Sequence, residues 1–556
     1  MRRHLLLTLL SALLLSLPWY ESFSGLLLLV AFVPLLMVEH DFAKSNRRGF
    51  WKYAWLCLLL WNAATTWWIC NATFFGMVGA FIGNSVQMLL VVWLFHVIKK
   101  RAGSAVGYAA FVALWLAWEW FYFDAEITWP WLTLGNGLAK DVKLVQWYEL
   151  TGALGGSLWI LLSNLLVFFI LQKQQADLLN FRAAKVEKML LAALVAAPCC
   201  CSLVRFYTYR EAENPCRVAI LQPNIDPFND KFGGMSAEEQ QRVIFAQAAS
   251  VATDSADYVI APETALENML WENSIEQNSL MLRLKSFCAQ RPNVSFVTGA
   301  TTYYLYGEDE DAPPTSRLMK NSSRRYDVYN AALQADSSGR VLRYHKSKLV
   351  VGVEMLPYPK YLNKIIGRFA ISLGGTSGGL GTQKERVAFT SSNRKFKAGV
   401  AICYESIFGQ FYTEYIKKGA NVMMIITNDG WWRDTPGHRQ HLRYASLRAI
   451  ETRRSIARSA NTGISAIVNQ RGEIVQRTSW WTRDTLSGTI NANEHITPYV
   501  KHGDIVGRAA GIATLLILLY TLVVRCCKPK PKTQNPKPKT QNPKLTLTRF
   551  KTLLGL

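Results

Sequence analysis

The chain alternates long apolar stretches with short polar loops over its first 210 residues, and then changes to a finer pattern. Eight apolar blocks lie near 4–20, 24–40, 53–70, 73–98, 104–123, 146–171, 187–206 and 503–525. Because an α-helix needs about 17–25 apolar residues to cross a bilayer, each block predicts a membrane helix. The first block also resembles a signal peptide, but Ser22-Phe23-Ser24 is a poor cleavage site and a second apolar block follows at once. We therefore expect a retained helix.

Lysine and arginine residues are concentrated in alternate loops between these blocks. They precede the first block, follow the second, fourth and sixth, and fill the tail after the eighth. The positive-inside rule then predicts that both termini are cytoplasmic and that residues 210–500 lie on the far side of the membrane. The net charge of +23 is explained by loops and a tail that face anionic lipid headgroups. Nucleic acid is not expected as a partner.

Residues 215–495 carry short β-branched runs that alternate with amphipathic stretches. The runs predict strands at 217–222, 258–261, 294–299, 398–402, 423–427 and 465–469. The amphipathic stretches predict helices at 237–253, 274–290, 412–418 and 437–454. A hairpin over 330–346 brings Lys346 to the end of a strand. Alternating strands and helices are typical of an α/β layered domain.

The pattern divides the chain into four parts. These are a membrane domain over 1–210, an α/β domain over 215–495, an eighth membrane helix over 503–525, and a basic cytoplasmic tail over 526–556. The tail repeats Pro-Lys-Pro-Lys-Thr-Gln-Asn, which cannot bury a core and predicts disorder. The ten cysteines are scattered, without a Cys-x-x-Cys pair or a histidine cluster of zinc spacing. Neither a metal nor an organic cofactor is expected.

Three segments of the second half each hold one reactive group. Cys403 ends an apolar strand, and a thiol attacks carbonyl carbon well only as the thiolate. Glu263 follows a strand, where partial desolvation is expected to raise its pKa and let it accept the thiol proton. Lys346 can stabilise the oxyanion of a tetrahedral intermediate. Taken singly, these residues also fit a buried structural cysteine, a helix-terminal acid and a solvated lysine, but together they favour catalysis.

Glu, Lys and Cys in this order resemble the triad of the nitrilase superfamily, and the whole chain resembles its membrane-fused members, the apolipoprotein N-acyltransferases. The matching motifs are Gln222-x-Asn224, Pro262-Glu263-Thr264, Tyr344-x-Lys346, Gly352-x-Glu354, Cys403-Tyr404-Glu405, Thr427-Asn428-Asp429-x-Trp431, Gln440-His441 and Ser459-Ala460-Asn461-Thr462-Gly463. Two sequences depart from the family pattern. Val351-Gly352-Val353-Glu354 stands where many members have a Pro-Phe-Gly-Glu-like stretch, and Gln222-Pro223-Asn224 replaces the common Gln-Gly-Asn.

The resemblance implies a polytopic membrane bundle of about eight transmembrane helices joined to a nitrilase-like αββα sandwich. It implies Glu263, Lys346 and Cys403 as the catalytic triad, and Glu354 and Glu405 as residues that orient Lys346 and Tyr404. Candidate substrate-binding residues are Asn224, Asn428, Trp431, Trp432 and His441.

The activity that the resemblance implies is transfer of a fatty-acyl chain, through a Cys403 thioester, from a phospholipid to the α-amine of a diacylated apolipoprotein. The implied location is the bacterial inner membrane, with a periplasmic catalytic domain and a monomeric enzyme among membrane lipids.

Two other functions fit the same residues. One is a membrane-tethered amidase that uses water as the acceptor. The other is a non-catalytic lipid-binding protein or transporter, although the apolar blocks hold few charges, chiefly Glu119. The aromatic loop over 124–144 also allows two interpretations, an interfacial belt or the mouth through which lipid reaches the site.

Overall fold

The computed structural model describes residues 1–176, 184–253, 255–355 and 379–527, so the repeated part of the predicted tail lies outside the described residues. The helices of the N-terminal region are α1 (Arg2–Ser16), α2 (Gly25–Lys44), α3 (Phe50–Thr66), α4 (Phe74–Ala102), α5 (Ser104–Tyr122), α6 (Tyr148–Ala176) and α7 (Lys185–Thr208). A further long helix, which we call α13, spans Ile505–Cys527.

Six of these helices are long and apolar enough to cross a membrane, within the ranges that the structure describes. They are α2, α4, α5, α6, α7 and α13, whereas α1 and α3 have 15 and 17 residues. Local sequence sets their ends. The Thr73 side chain accepts a hydrogen bond from the Gly76 N–H at the start of α4. Lys99, Lys100 and Arg101 occupy its last turn, where positive charges interact favourably with the negative end of the helix dipole. The prediction that the N-terminal region forms a polytopic helical bundle is confirmed.

Within the described residues of the 215–495 region, the chain forms four helices of nine or more residues and two sheets. The helices are α8 (Ala237–Val251), α9 (Ser279–Ala289), α10 (Gly409–Lys417) and α11 (Pro436–Thr452), with the short α12 (Pro498–His502) before α13. The strands of the first sheet are β1 (Pro215–Gln222), β2 (Tyr258–Ile260), β3 (Leu266–Trp271), β4 (Ser295–Leu305), β5 (Arg317–Leu318), β6 (Arg325–Ala335), β7 (Val341–His345) and β14 (Asp484–Asn491). Those of the second are β8 (Ala388–Thr390), β9 (Lys397–Ile402), β10 (Val422–Thr427), β11 (Ile456–Ala460), β12 (Ala466–Val468) and β13 (Ile474–Arg477).

The two sheets pack face to face, with helices on both outer sides. The first follows the order β14-β1-β2-β4-β6-β5, with β3 on β4 and β7 on β6, and the second the order β13-β12-β11-β10-β9-β8. Ile220 and Val297 of the first share a core with Ile402 and Ile426 of the second. Helices α8 and α9 cover the first sheet, and α10 and α11 cover the second. This arrangement confirms the predicted αββα sandwich.

Strand direction gathers polar residues at one edge of the sandwich. Strands β9, β10 and β11 are parallel neighbours, and Ile402 pairs with Ile426. Because parallel strands end at the same edge, the residues that follow them lie together. Cys403 follows β9 and Asn428 follows β10, while Glu263 comes shortly after β2 and Lys346 directly after β7.

A kink in α6 connects the membrane helices to the sandwich. Gly152 has φ +64°, and a Cβ atom there would lie 2.3 Å from the ring of Tyr499, so a larger residue does not fit. The neighbouring Ala153 N–H donates to Oε1 of Glu451 on α11 at 3.0 Å. The kink therefore leaves the Ala153 N–H free to bind the α/β half of the chain, residues 215–495.

Candidate active site

Cys403 lies at a sharp turn between β9 and a short 3₁₀ helix, Cys403–Ile407. Its φ is +50°, a left-handed conformation that costs a non-glycine residue about 1–3 kcal/mol and is retained where the surroundings enforce it. Here the Ser406 hydroxyl donates to the Cys403 carbonyl oxygen at 2.8 Å. Such a strand-to-helix turn presents a nucleophile at the edge of a sheet.

Burial raises the pKa of the Cys403 thiol, and the charge of Glu263 raises it further, against the opposing effect of Lys346. The resting sulfur is therefore a protonated thiol at neutral pH, and it needs a base before it can attack a carbonyl carbon.

Glu263 is a buried carboxylate with three donors. Its Oε1 atom accepts from Lys346 Nζ at 2.9 Å and from Asn330 Nδ2 at 2.7 Å. Its Oε2 atom accepts from the backbone N–H of Asn428 at 3.1 Å. Asn428 directly follows β10 and Cys403 directly follows its neighbour β9, so the acid and the thiol lie at the same edge of the sheet.

The pKa of Glu263 differs from the sequence-based expectation. Burial by itself raises the pKa, as expected, but Lys346, Asn330 and Lys231 outweigh burial, and the pKa is lowered below its ordinary value. The predicted raised pKa is therefore wrong, because desolvation was weighed without the cations that accompany it. The carboxylate is ionised at neutral pH and can accept a proton.

Lys346 is almost fully buried between two carboxylates. Its Nζ atom donates to Glu263 and, at 2.8 Å, to Oε1 of Glu354, while its backbone N–H donates to the Asn330 carbonyl oxygen. Burial acts to lower the pKa of Lys346, but the charges of Glu263, Glu354 and Cys403 raise it well above its ordinary value. The ammonium has three N–H groups, and the described residues accept from two of them, so one remains for a further acceptor.

Glu405 contacts partners other than the one expected. Its Oε1 atom accepts from Tyr344 OH at 2.6 Å and Ser347 N at 2.7 Å, and its Oε2 atom from Ile402 N at 2.8 Å and Tyr415 OH at 3.0 Å. Tyr404 instead donates to the Thr128 carbonyl oxygen at 3.0 Å. The expectation that Glu405 orients Tyr404 is therefore wrong. Glu405 joins β7 to the residue before the nucleophile.

Comparison with known proteins identifies the family of this chain. The model described as apolipoprotein N-acyltransferase N-terminal domain matches residues 11–166, and the model described as carbon-nitrogen hydrolase matches residues 217–496. An apolipoprotein N-acyltransferase of Chlorobaculum tepidum is 30% identical over 502 residues, which cover 88% of this chain and 91% of the relative. The chain belongs to the apolipoprotein N-acyltransferase family.

A second relative agrees with this assignment, and a similar solved structure is named beside it. An apolipoprotein N-acyltransferase of Geobacter metallireducens is 26% identical over 544 residues, which cover 93% of this chain and 96% of the relative. A solved amidase from Nesterenkonia sp. is 15% identical, with 54% of this chain and 97% of that chain covered and a TM-score of 0.33. The protein is thus a membrane-bound N-acyltransferase of the nitrilase superfamily.

His441 of this N-acyltransferase lies beneath the nucleophile turn. Its Nε2 atom is 3.2 Å from the Cys403 carbonyl oxygen and 3.0 Å from Ser406 Oγ, and its Nδ1 atom is 2.9 Å from Asp429. Arg458 donates to the same aspartate at 2.5 Å and, despite the burial of Asp429, helps to hold the pKa of Asp429 well below its usual range. Since His441 is only 1% exposed, it supports the turn from below rather than facing an open surface.

The other candidate substrate-binding residues lie in three different places. Asn224 and Asn428 belong to loops joined through Asn461, whose Nδ2 atom donates to Asn428 Oδ1 at 3.2 Å and whose carbonyl oxygen accepts from the Asn224 N–H at 3.0 Å. Trp431 is half-buried, with its ring 5.3 Å from that of Phe228. Trp432 belongs to an aromatic cluster.

The aromatic cluster consists of Trp68, Trp129, Trp131 and Trp432. The ring of Trp432 lies 4.8 Å from Trp68 and 5.5 Å from Trp131, and Trp129 stacks on Trp131 at 5.1 Å. Trp131 is fully buried, and its Nε1 atom donates to Gln440 on α11 at 2.6 Å. The 124–144 loop therefore packs against the catalytic half, which does not fit an interfacial belt for Trp131.

Asn330 and Lys231 belong to the site but were not identified from the sequence. Asn330 is a polar residue in the buried strand β6, and its Nδ2 atom lies 2.7 Å from Glu263 and 3.3 Å from Glu354. A polar residue among apolar neighbours in the sequence is a signal that could have identified Asn330. Lys231 lies in a turn among other polar residues, so the sequence does not set it apart. Within the described ranges, no group of three or more His, Cys, Asp or Glu residues is placed to hold a metal ion.

Proposed function

We propose that the protein transfers a fatty-acyl chain from a phospholipid to the α-amine of the N-terminal diacylglyceryl-cysteine of a lipoprotein, through a thioester on Cys403. The names of the relatives support the lipoprotein acceptor. The single observation that carries the chemistry is the Lys346 ammonium, held by Glu263 and Glu354 with one N–H group left over.

In the first half-reaction, Glu263 takes the proton of the Cys403 thiol, and the sulfur attacks the carbonyl carbon of the phospholipid ester. The spare N–H of Lys346 donates to the developing oxyanion. When the intermediate collapses, the carbon–oxygen bond of the ester breaks, and the glycerol oxygen takes the proton from Glu263. A lysophospholipid leaves, and the acyl chain remains on sulfur.

In the second half-reaction, the α-amine of the acceptor attacks the thioester carbon. Glu263 accepts a proton from the amine as the amide bond forms, and the sulfur leaves. That proton returns to sulfur and restores the resting thiol. Two half-reactions through one covalent intermediate predict ping-pong kinetics.

A thioester must be protected from water if an amine is to be the acceptor. The aromatic cluster excludes water from one side of the site, because Trp68 and Trp131 are fully buried and Trp432 packs on both. A membrane-embedded entrance would supply lipid without bulk water. The distribution of loop charges supports a site on the far side of the membrane from two cytoplasmic termini. We propose that this membrane is the bacterial inner membrane, that the site faces the periplasm, and that the enzyme is a monomer.

The test is a product assay with purified enzyme, phospholipid and a synthetic diacylated lipopeptide. Mass spectrometry should find the lipopeptide heavier by one amide-linked acyl chain, and Cys403→Ala should abolish this product. Cys200→Ala, an exposed cysteine on α7, serves as the matched control and should retain activity. Free fatty acid in place of the amide product would indicate an amidase that uses water.

A further inference from the structure

Lys231 is a buried cation that none of the sequence motifs includes. It lies in the tight turn Asp230–Gly234 that precedes α8, and only 5% of it is exposed. Its backbone N–H donates to the Asp226 carbonyl oxygen at 2.9 Å, and its own carbonyl oxygen accepts from Gln240 Nε2 on α8 at 2.9 Å. Lysine is almost never fully buried unless its charge has a partner, so the burial of Lys231 indicates a specific role.

The Lys231 ammonium binds the residue that follows the proposed base. Its Nζ atom donates to the Thr264 carbonyl oxygen at 2.8 Å and lies 2.5 Å from Thr264 Oγ1. Thr264 has φ +46°, which is unusual for a β-branched residue. Its conformation must therefore be enforced by neighbours, and Lys231 supplies two contacts that do so.

Strand β4 closes the Glu263 turn from the opposite side. A Cβ atom on Gly299 would lie 2.4 Å from the Thr264 nitrogen and 2.6 Å from the Glu263 Cα atom, so the backbone of β4 approaches as closely as glycine allows. The Gly299 N–H also donates to the Pro262 carbonyl oxygen at 3.0 Å. The turn that carries Glu263 is thus held between β4 and the Lys231 side chain.

The charge of Lys231 also acts on Glu263. The titratable and charged groups around this carboxylate are Lys346 and Glu354 after β7, Cys403 after β9, Asp429 after β10, and Lys231 before α8. The positive charge of Lys231 lowers the pKa of Glu263 and so favours its ionised form. Because Lys231 and Glu263 are both buried, solvent screens this charge only weakly.

We propose that Lys231 is a positioning residue for the proposed reaction, which fixes the Glu263 turn through Thr264 and keeps the Glu263 carboxylate ready to accept the Cys403 proton. This inference rests on the function proposed above. It assigns the segment before α8 a task in catalysis, although that segment contributes no group to the reacting atoms.

The test measures alkylation of Cys403 by iodoacetamide as a function of pH, with mass spectrometry of the Cys403 peptide, for the full-length enzyme. Lys231→Gln keeps a hydrogen-bond donor but loses the charge, so the pKa of Glu263 should rise. The acid limb of the alkylation profile then moves to higher pH. On that limb, alkylation at a given pH should be slower in Lys231→Gln than in wild type, by about tenfold for each pKa unit through which Glu263 shifts. Lys231→Arg keeps the charge and should follow wild type, as should the exposed control Lys395→Met.

The readout separates positioning from a general loss of structure. A uniform loss of rate at every pH in Lys231→Gln, or an unchanged profile, would overturn the inference. If Lys231→Gln unfolds on purification, the neutral variant Lys231→Met takes its place with the same outcomes, and a displaced acid limb in Lys231→Arg, which keeps the charge, contradicts the inference. The assay does not use acyl transfer, so failure of the proposed function would appear separately, as N-acylation that survives in Cys403→Ala.

Discussion

Glu263 and Lys346 are separated by 83 positions in the sequence, and their Oε1 and Nζ atoms lie 2.9 Å apart in a pocket almost closed to solvent. Glu354 completes the arrangement on the other side of the ammonium, at 2.8 Å. One buried and one partly buried carboxylate thus pair with the same ammonium. Removing one partner from a buried ion pair leaves an uncompensated charge, which is more harmful than the pair itself is stabilising.

We expect Lys346→Met to abolish activity and to destabilise the protein by about 3–5 kcal/mol, the usual effect of breaking a buried ion pair. Thermal unfolding in detergent measures the second effect. Lys417→Met, which removes a lysine paired with Glu414 on the surface, is the matched control and should change stability little. Equal melting temperatures for Lys346→Met and wild type would contradict the buried pair.

Glu263→Gln should slow alkylation of Cys403 throughout the neutral range, because the amide cannot accept the thiol proton. The pKa of Glu263 is lowered in the folded protein, so in wild type the loss of thiol reactivity should occur on the acid side of the ordinary value of 4.5. The stability of the protein should depend on pH in the same direction. The stabilisation that the ionised Glu263 provides is fully present above the ordinary pKa of 4.5 and is lost as pH falls through the pKa of the folded state. Unchanged alkylation rates in Glu263→Gln would exclude its role as the base.

Glu405→Gln should lower kcat and destabilise the protein by about 1–3 kcal/mol, the cost of a buried polar group without a partner. Four donors point at this carboxylate, and the NH₂ group of glutamine would face at least one of them. Tyr415→Phe removes a single donor and should be milder in both kinetics and thermal unfolding. A Glu405→Gln enzyme with wild-type kcat would show that the turn does not need this carboxylate.

Trp432→Ala should open the aromatic cluster and admit water to the acyl-enzyme. The expected result is a higher ratio of free fatty acid to amide product, with acyl-enzyme formation largely retained. Trp51→Ala, an exposed tryptophan on α3, provides the comparison and should leave the ratio unchanged. An unchanged ratio of free fatty acid to amide product in Trp432→Ala would show that Trp432 does not keep water from the acyl-enzyme.

Much of the fold could be predicted from the sequence because its periodicities are strong. The strands that end before Glu263 and Cys403, and the hairpin that delivers Lys346, were predicted within a few residues. The partners of Glu405 could not be predicted, because they depend on how β7 and α10 meet in space. The pKa of Glu263 was predicted with the wrong sign, since the cations Lys346 and Lys231 come from distant segments.

The central claim is that Cys403 carries the acyl chain, and intact-mass analysis of the purified enzyme after incubation with phospholipid tests it most directly. We predict a mass increase of one fatty-acyl group, located on the Cys403 peptide and discharged when a diacylated lipopeptide is added. Its absence from the Cys403 peptide, together with N-acylation by Cys403→Ala, would contradict the account.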